Sequence, residues 1–343
     1  LGLIGGSIAA RLTQVGFRVQ GIDPLASRQD EALEFGYISA VGLDADALIT
    51  FVSVPVSQLV TEVEEALRAT KGIVTDVGSV KAPVVQAIAD SRFVGGHPMA
   101  GSELEGIQGA DAELFEGATW ILTPTDSTDD KVFSEVASIV QLMGANILAV
   151  TAEHHDRLIA VVSHVPHLAA ATLMSVADAR SEEHASVLRM AAGGFRDMTR
   201  IASSKPGIWL DICRENRVAI LETLDDFIAE LGQLRAIIDG TKTGELESFL
   251  SKARKARSHL PARVRSLEDV EEVRIPIPDR PGAAAEIFTL AAELGVNIAN
   301  FEVAHSVEGD RGVLVLVVEQ SSQDVFRGGL IARGFRPILQ QIS

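Results

Sequence analysis

A histidine in a glycine-rich segment is the residue of this chain best suited to acid–base chemistry. His97 follows Gly95-Gly96 and the short apolar run Phe93-Val94, and Pro98 comes next. Two glycines predict a turn in which a ligand can approach the backbone closely. Because an imidazole ordinarily has a pKa of about 6.5, it can accept a proton near neutral pH. His97 is therefore a candidate general base, and a turn histidine that only caps backbone groups is the alternative.

The first residues carry a pattern typical of dinucleotide binding. Leu1-Gly2-Leu3-Ile4-Gly5 matches the second half of a G-x-G-x-x-G fingerprint, and we expect the first glycine and a strand before residue 1. A helical pattern and a strand at 18–22 follow, and the strand ends on Asp23, 21 positions beyond Gly2. At that spacing an acid accepts hydrogen bonds from the adenosine ribose and repels a 2′-phosphate. We therefore expect NAD, with NADP less favoured but kept open by Arg28.

Strands and helices alternate through residues 1–150, which predicts a Rossmann-like α/β nucleotide-binding domain. Apolar strands are expected at 47–54, 73–77, 93–94, 119–122 and 146–150, and helices at about 57–69, 82–89 and 131–143. In an open parallel sheet, ligands bind at the carboxyl ends of the strands. Those ends carry Ser53-Val54-Pro55, Ser79 and His97, so we expect all three at one crevice, with the first group contacting the cofactor.

Residues 151–260 show helical periodicity throughout. Thr151 predicts an N-cap for a long helix in which Pro166 introduces a kink. Farther along, apolar residues recur at helical spacing at Ile220, Leu224, Phe227, Ile228, Leu231 and Leu234. Such a stripe packs either into the core or against a second copy of the chain. We therefore expect an all-α second domain.

The C-terminal part has a pattern of its own. Residues 261–272 are charged and irregular, which predicts a linker. Over residues 273–343, strands are expected at 273–277, 296–304, 312–319 and 335–340, helices at 283–294 and 323–332, and a hairpin at Glu308-Gly309-Asp310. This βαββαβ order predicts a ferredoxin-like unit.

The composition indicates that the binding partners are small molecules. The formal net charge is −17 and no long basic run is present, which argues against a nucleic-acid or anionic-membrane surface. We expect no membrane span, because no apolar run approaches the roughly 20 residues that one needs, and nothing resembles a signal peptide. The one cysteine, Cys213, cannot form an internal disulfide, which suits a reducing cytoplasm. We expect a cytoplasmic protein.

Four segments, in this order, resemble the prephenate/arogenate dehydrogenase family of tyrosine biosynthesis. They are Asp76-Val77-Gly78-Ser79-Val80-Lys81, Gly95–Ser102, Val162–His167 and Gly193–Arg200. Near the C-terminus, Asp279-Arg280-Pro281-Gly282 and Val296-Asn297-Ile298 are similar to the ACT domain, a module that senses amino acids. The resemblance covers nearly the whole chain and implies a homodimer that uses NAD.

The resemblance also implies an oxidative decarboxylation. In prephenate, a hydride leaves ring carbon C4, the C4 hydroxyl loses its proton, and C1 loses carbon dioxide as the ring becomes aromatic. His97 matches the base of the family, and Ser79 the serine that orients the hydroxyl and the histidine. Arg200 matches the arginine that holds the side-chain carboxylate in a planar charged fork. Other residues that match the substrate site or its entrance are His155, Ser163, His167, Trp209, Glu103 and Asp197.

Regulation by tyrosine is a further implication of the resemblance. Gly282 would allow an effector to approach the backbone, and Asn297 would offer a side-chain amide. An ACT-like unit that only dimerises is the alternative.

Several other readings stay open. Prephenate and arogenate differ only in a keto or an amino group, and no residue decides between them. A β-hydroxyacid dehydrogenase shares the two-domain plan but relies on a helical-domain lysine where this chain has Phe195-Arg196. A non-catalytic ACT sensor would not need Ser79, His97 and Arg200.

A metal site is the least favoured reading. His164 and His167 are three residues apart and could bind zinc together with His155 or Asp156. Because Pro166 distorts that helical face, and because hydride transfer to NAD needs no metal here, we expect none.

Overall fold

The computed structural model describes residues 1–102, 104, 106–183, 190–240, 243–258, 270–278, 282–305 and 311–341. The chain divides into two compact units, Leu1–Lys242 and Thr243–Ser343. The first unit holds the α/β part and the helices that follow it, and the second holds the C-terminal sheet. Helix α11 (Thr243–Arg257) belongs to the second unit, whereas the sequence pattern predicts a boundary near residue 260.

Five strands form the main sheet of the first unit, in the order β3-β4-β5-β6-β7. β3, β4 and β5 are parallel, β6 runs antiparallel to β5, and β7 is parallel to β6. The expected open parallel sheet is therefore wrong at β6, because the described residues between β5 and β6 form a short 3-10 turn, Ile107–Gly109, and no crossover helix. The strands are β3 Ile49–Val52, β4 Ile73–Asp76, β5 Phe93–Pro98, β6 Thr119–Thr123 and β7 Asn146–Ala149.

Helices pack on this sheet through apolar faces. α3 buries Leu59, Val63 and Ala66, a spacing typical of an amphipathic helix. α2 is absent from the expected elements because its one buried residue, Ala32, makes no apolar stripe that periodicity could detect. The helices of the α/β part are α1 Leu3–Gln14, α2 Ala26–Glu34, α3 Leu59–Ala69, α4 Ala82–Ala87 and α5 Asp130–Leu142.

A separate two-stranded sheet lies beside α1. β1 (Gln20–Gly21) pairs in parallel with β2 (Ala40–Val41). A cavity of about 660 Å³ is lined by α1, by residues around β1 and by β3, with apolar walls that include Ile8, Leu12, Val19, Phe51 and Val52. The expected strand before residue 1 stays a prediction.

The helices after residue 151 include one long run that carries His155, Ser163 and His167. Thr151 caps α6 (Ala152–Ile159) by accepting a hydrogen bond from the N–H of His154, as predicted. Ala160–His164 then forms a π-helical turn before α7 (Val165–Glu183). Because Pro166 has no N–H to donate to the preceding turn, the helix widens just before it. The predicted kink at Pro166 stays a prediction. The later elements are α8 Gly193–Thr199, a 3-10 turn Arg200–Ser203, α9 Pro206–Glu215 and α10 Arg217–Asp239.

The same run bears on the membrane prediction. Ala152–Arg180 spans 29 residues with a mean hydropathy of 1.5 in its most apolar window, so by length and composition alone it could cross a membrane. The expectation that no apolar stretch reaches such a length is therefore wrong. The run also buries His155, Asp156, His164 and His167, as a helix does when it carries a polar site in a protein interior.

The second unit contains a four-stranded antiparallel sheet in the order β11-β8-β10-β9. The predicted βαββαβ order is confirmed, and the core contains the fully buried Ile275, Ile287, Leu314 and Phe326. The expected hairpin at 308–310 and most of the expected linker lie outside the described residues. The elements after α11 are β8 Val270–Pro278, α12 Ala283–Glu293, β9 Ile298–His305, β10 Arg311–Glu319, α13 Gln320–Ala332 and β11 Ile338–Gln341.

Candidate active site

The α6–α7 run meets the main sheet at the segment that follows β4. The backbone N–H groups of Lys81 and Ala82, at the start of α4, donate to the two carboxylate oxygens of Asp156 over 2.7 and 2.9 Å. A buried apolar cluster is formed across the same junction by Val80, Ala160, Val165, Ile212, Ala219 and Ile220. The α/β part and the helical part therefore share one site within the first unit.

His97 lies in a strand and not in a turn. β5 continues to Pro98, and His97 is paired with Ile121 of the antiparallel β6. The predicted glycine-rich turn is therefore wrong. Gly96 is required by packing, because a Cβ there would lie 2.7 Å from the carbonyl oxygen of Asp76. The absence of a side chain lets β4 and β5 pack closely immediately before the histidine.

A second histidine is hydrogen-bonded to His97. Nδ1 of His97 lies 2.8 Å from Nε2 of His155, and the ring centroids are 5.1 Å apart in an edge-to-face arrangement. Nδ1 of His155 in turn lies 2.7 Å from Oδ1 of Asp156. His155 is fully buried, and both of its ring nitrogens are engaged within the protein. It therefore lies behind His97, in contrast to the pocket-lining position that the family resemblance implies.

A buried ion pair lies next to His97. Lys81 and Asp76 are both fully buried, and Nζ of Lys81 contacts Oδ2 of Asp76. Oδ1 of Asp76 accepts a hydrogen bond from the N–H of Gly96 over 3.1 Å. Burial lowers the pKa of Lys81, and the neighbouring carboxylates of Asp76 and Asp156 offset this only in part. The carboxylate of Asp76 thus links β4 to β5 one residue before the candidate base, and Lys81 is its counter-ion.

The surroundings keep His97 neutral. Burial, followed by the nearby His155, Lys81 and His164, lowers the pKa of His97 well below its ordinary value. These neighbours either carry a positive charge or can gain one, so a proton on His97 is disfavoured. At neutral pH the ring is an unprotonated acceptor, as a general base requires.

Two further histidines lie against Trp209. The ring of His167 stacks on Trp209 with centroids 3.5 Å apart and an interplanar angle of 10°, and the ring of His164 meets it edge to face at 6.1 Å. Nδ1 of His164 lies 3.1 Å from the amide nitrogen of Asn216, which also donates to the carbonyl oxygen of Asp156. Burial lowers the pKa of His167, and it lowers that of His164 to about 4.

His164 and Asn216 belong to the site although the sequence assigns them no substrate or catalytic role. His164 lies inside the Val162–His167 motif, so its position three residues before His167 is an available signal. Asn216 precedes α10 and belongs to no motif. Its place depends on the packing of α10 against the α6–α7 run, which local sequence does not reveal.

The other expected substrate residues lie in more open positions. Ser79, in the segment after β4, and Ser163, in the π-helical turn, are half-buried. Arg200 begins the 3-10 turn that packs against α7, and its side chain is exposed, as is that of Asp197 on α8. Glu103 lies outside the described residues. The roles of these residues stay predictions.

The N-terminus of α1 fits the phosphates of a dinucleotide. Gly2 is the N-cap, no side chain caps the first turn, and no acidic residue lies in it. N–H groups at such an end, together with the helix dipole, attract a pyrophosphate. Gly5 packs against the end of β3, because a Cβ there would lie 3.2 Å from Cβ and Oγ of Ser53. Gly2, Gly5 and Ser53-Val54-Pro55 line the same cavity.

Asp23 lies just after β1 and lines this cavity as well. Its Oδ1 accepts a hydrogen bond from the N–H of Leu25, and its Oδ2 lies 3.4 Å from Nη1 of Arg28. Burial raises the pKa of Asp23, but hydrogen bonds and nearby positive charge outweigh it and hold the pKa below its ordinary value. An ionised carboxylate suits ribose hydroxyls, while Arg28 is the group that a 2′-phosphate would contact.

Two expectations remain, the absence of a metal site and an effector site in the βαββαβ unit. Within the residues that the structure describes, no group of three or more His, Cys, Asp and Glu side chains is arranged to hold a metal ion. Gly282 is the N-cap of α12 with a left-handed φ of 88°, a conformation that favours glycine. Asn297 is exposed, and Asp279-Arg280-Pro281 lie outside the described residues.

Comparison with known proteins gives one consistent family. A family model described as the nucleotide-binding domain of prephenate dehydrogenase matches residues 8–149. Another, described as the dimerization domain of prephenate dehydrogenase, matches residues 151–252. A prephenate dehydrogenase of Bacillus subtilis is 35% identical over 330 residues, which cover 92% of this chain and 89% of that protein.

Similar solved structures include members of the same family. Prephenate dehydrogenase from Aquifex aeolicus in complex with hydroxyphenyl propionate and NAD+ is 30% identical, with a TM-score of 0.72 over 76% of this chain and 96% of that chain. Arogenate dehydrogenase from Synechocystis is also 30% identical, with a TM-score of 0.66 over 75% of this chain and 96% of that chain. The C-terminal βαββαβ unit lies beyond both matching family models.

Proposed function

The chain belongs to the prephenate dehydrogenase family, and on that basis we propose that it oxidises prephenate to 4-hydroxyphenylpyruvate and carbon dioxide with NAD. The observation that carries this proposal is the state of His97. The ring is neutral, lies at the carboxyl end of β5, and is hydrogen-bonded through Nδ1 to the buried His155. Nε2 is then the nitrogen through which His97 acts on a substrate.

In the proposed reaction His97 removes the proton of the C4 hydroxyl as the hydride leaves C4, and it returns this proton to the phenolate oxygen once the ring is aromatic. NAD, when bound, supplies the hydride acceptor for C4. The C1 carboxylate leaves as carbon dioxide because the ring becomes aromatic, so no second base is required. Neutral aromatic rings at Trp209 and His167 offer a flat surface for the substrate ring. Arg200 binds the side-chain carboxylate, and Ser79 orients the hydroxyl.

A homodimer is part of the proposal. The sequence leaves open whether the apolar stripe of α10 packs into the core or against a second copy of the chain. In the single chain, Ile220 is buried in the core, whereas Phe227, Ile228 and Leu231 are exposed. The matching family model is described as a dimerization domain and spans this helix. We therefore infer that the exposed half of the stripe packs against a second copy, and light scattering of the purified protein tests this.

Tyrosine is proposed as an effector of the βαββαβ unit. The unit has its own core and holds none of the proposed catalytic residues. A glycine in the left-handed conformation at the start of α12 leaves room for a ligand beside the backbone. Among the described residues, apart from its chain neighbours and the backbone of α12, no atom lies within 4 Å of a Cβ placed on Gly282. An ACT-like sensor in this unit would report the end product of the pathway that the enzyme supplies.

Initial rates with two substrates and two cofactors test the activity. We expect the highest kcat/KM for prephenate with NAD, because Asp23 is ionised and lies where a 2′-phosphate would be repelled. Arogenate is the second candidate substrate, since arogenate dehydrogenase from Synechocystis is among the similar structures. If neither NAD nor NADP is reduced with prephenate or with arogenate, the proposal is wrong. A higher kcat/KM for arogenate would make arogenate the proposed substrate.

A further inference from the structure

We propose that His155 and Asp156 are positioning residues that fix the tautomer of His97, so that its Nε2 reaches the substrate without a proton. This inference rests on the proposed role of His97 as the general base. It assigns to His155 a position behind the base instead of contact with the substrate. It also assigns a role to Asp156, which the family motifs leave without one.

Asp156 is an acceptor whose orientation is set by the main chain. The N–H of Lys81 donates to Oδ1 and the N–H of Ala82 donates to Oδ2, and the residue is only 5% exposed. With a main-chain donor on each oxygen, the group acts as an acceptor-only carboxylate. Nδ1 of His155, 2.7 Å from Oδ1, must therefore carry a proton.

That proton determines the next hydrogen bond. A neutral imidazole has one N–H, so Nε2 of His155 is an acceptor. Nδ1 of His97, 2.8 Å away, must then be the donor, and the lone pair of His97 is on Nε2. If Nε2 of neutral His155 instead donated to His97, Nδ1 of His155 would have no proton. Nδ1 would then face the carboxylate of Asp156 with an acceptor on each side. One buried carboxylate thus sets two tautomers in series, in the way that the aspartate of a serine protease triad sets one.

The same chain of groups faces the positive charge that His97 gains during the reaction. After Nε2 accepts the hydroxyl proton, Nδ1–H still donates to His155, whose other nitrogen donates to the Asp156 carboxylate. Lys81 and His164 also lie near His97 and oppose the charge, but Lys81 is paired with Asp76. Asp156 is therefore the carboxylate that is connected to the ring of His97 by hydrogen bonds, through the ring of His155.

Nitrogen-15 NMR of the full chain with labelled histidine tests the tautomer directly. The signals of His97 are identified by their loss in His97→Asn. We expect the Nδ1–H tautomer in the wild-type protein and a loss of that preference in His155→Phe, which keeps a ring but no nitrogen. Turnover of His155→Phe should fall by about 10²-fold or more, while KM for NAD should stay within about twofold.

His155→Gln provides rescue by a similar group. Its side-chain oxygen can accept from Nδ1–H of His97, so we expect the Nδ1–H tautomer and a turnover above that of His155→Phe. His154→Phe is the matched control, because the side chain of this neighbouring histidine is exposed and its hydrogen bond to Thr151 is made by the backbone N–H. We expect wild-type turnover and an unchanged His97 signal.

Two results would overturn the inference. One is a wild-type His97 in the Nε2–H tautomer, and the other is an unchanged Nδ1–H tautomer in folded His155→Phe. If His155→Phe does not fold, Asp156→Asn replaces it, and an unchanged pure tautomer in that variant counts against the inference. Failure of the wild-type protein to oxidise prephenate would instead overturn the proposed function, because the NMR result does not depend on turnover.

Discussion

Four histidines share the site, and each has a pKa below its ordinary value with burial as the largest cause: His97, His155, His164 and His167. At neutral pH the rings carry no charge, so they can pack together and against Trp209 without repulsion. A proton on any of them is opposed by burial, and at His97 and His155 the nearby Lys81 opposes it further. At the scale of the residue, the chemistry of this site therefore depends on keeping imidazoles neutral.

The first prediction concerns pH. The base works unprotonated, so the rate falls only when pH drops through the pKa of His97, which is held well below its ordinary value. We expect kcat/KM to be constant through neutrality and to decline only in more acidic solution, which corrects the ionisation around neutrality expected from an ordinary histidine. A pH profile of initial rates measures this. His97→Asn should lose about 10² or more in kcat and lack the acidic decline, and an inflection near neutrality in the wild type would contradict the prediction.

The second prediction concerns Arg200. Arg200→Ala should raise KM for prephenate about tenfold or more and leave KM for NAD nearly unchanged, because a charge-assisted contact to a carboxylate is lost. Lysine at this position should restore binding only in part, since it lacks the planar fork. Arg196→Ala is the matched control on α8, where Nε of Arg196 donates to the carbonyl oxygen of Ala191. Equal effects of the two alanine variants would remove Arg200 from the substrate site.

At the scale of the element, irregular geometry brings the histidines together. His155 and His164 are nine positions apart, which in a regular α-helix places them about 180° apart around the axis. The π-helical turn at Ala160–His164 adds about one residue to a turn and so rotates the following side chains by about 100°. Both rings then interact with the Asp156–Asn216 region.

The third prediction concerns the buried pair of Lys81 with Asp76, whose carboxylate connects β4 to β5. Lys81→Met should destabilise the protein by about 3–5 kcal/mol, because it leaves the carboxylate of Asp76 buried without its cation. The midpoint of urea unfolding measures the loss. Lys71→Met is the control. Lys71 and Asp46 form an exposed ion pair, which we expect to contribute only about 0–1 kcal/mol to the free energy of unfolding. Similar midpoints for the two variants would show that the buried pair does not stabilise this junction.

At the scale of the whole molecule, the proposed catalytic groups lie in the first unit and the βαββαβ unit stands apart from them in sequence. The similar solved structures align over 96% of their own length with about three quarters of this chain. Chains of that shorter extent therefore form the two family domains by themselves. This supports a catalytic part that does not need the C-terminal unit in order to fold.

The fourth prediction tests the regulatory role of that unit. A chain that ends at residue 257, after α11, should retain turnover and lose inhibition by tyrosine, because the proposed effector site is removed. Inhibition is measured as the tyrosine concentration that halves the initial rate, in the full and the shortened chain. A typical coupling of about 1–3 kcal/mol corresponds to a roughly 5- to 150-fold effect on affinity. Unaltered inhibition in the shortened chain would place tyrosine in the active site, where it competes through its carboxylate.

Local sequence determined most of the elements and the order of the three parts. The spacing of apolar residues located β3, β4, β6 and β7, most helices of the first unit, and the whole βαββαβ unit, because periodicity follows directly from burial of one face. The glycine fingerprint and Asp23 likewise marked residues that line one cavity, the proposed cofactor site, since a helix N-terminus and a strand end lie at fixed positions in such a unit. Family motifs supplied His97 and its neighbours as candidates.

Only the tertiary structure decided how those candidates are arranged. Whether Gly95-Gly96 forms a turn or a strand depends on β6, which pairs with it from residues 119–123. Side chains are excluded by Thr123 of β6 at Gly95 and by the carbonyl oxygen of Asp76 at Gly96. The reversal of β6, the widened turn before Pro166 and the burial of Lys81 with Asp76 likewise depend on packing partners. The contact between His97, His155 and Asp156 joins residues 58 positions apart in the chain. Hydrogen bonds of this kind are set by the positions of whole elements, which no local spacing encodes.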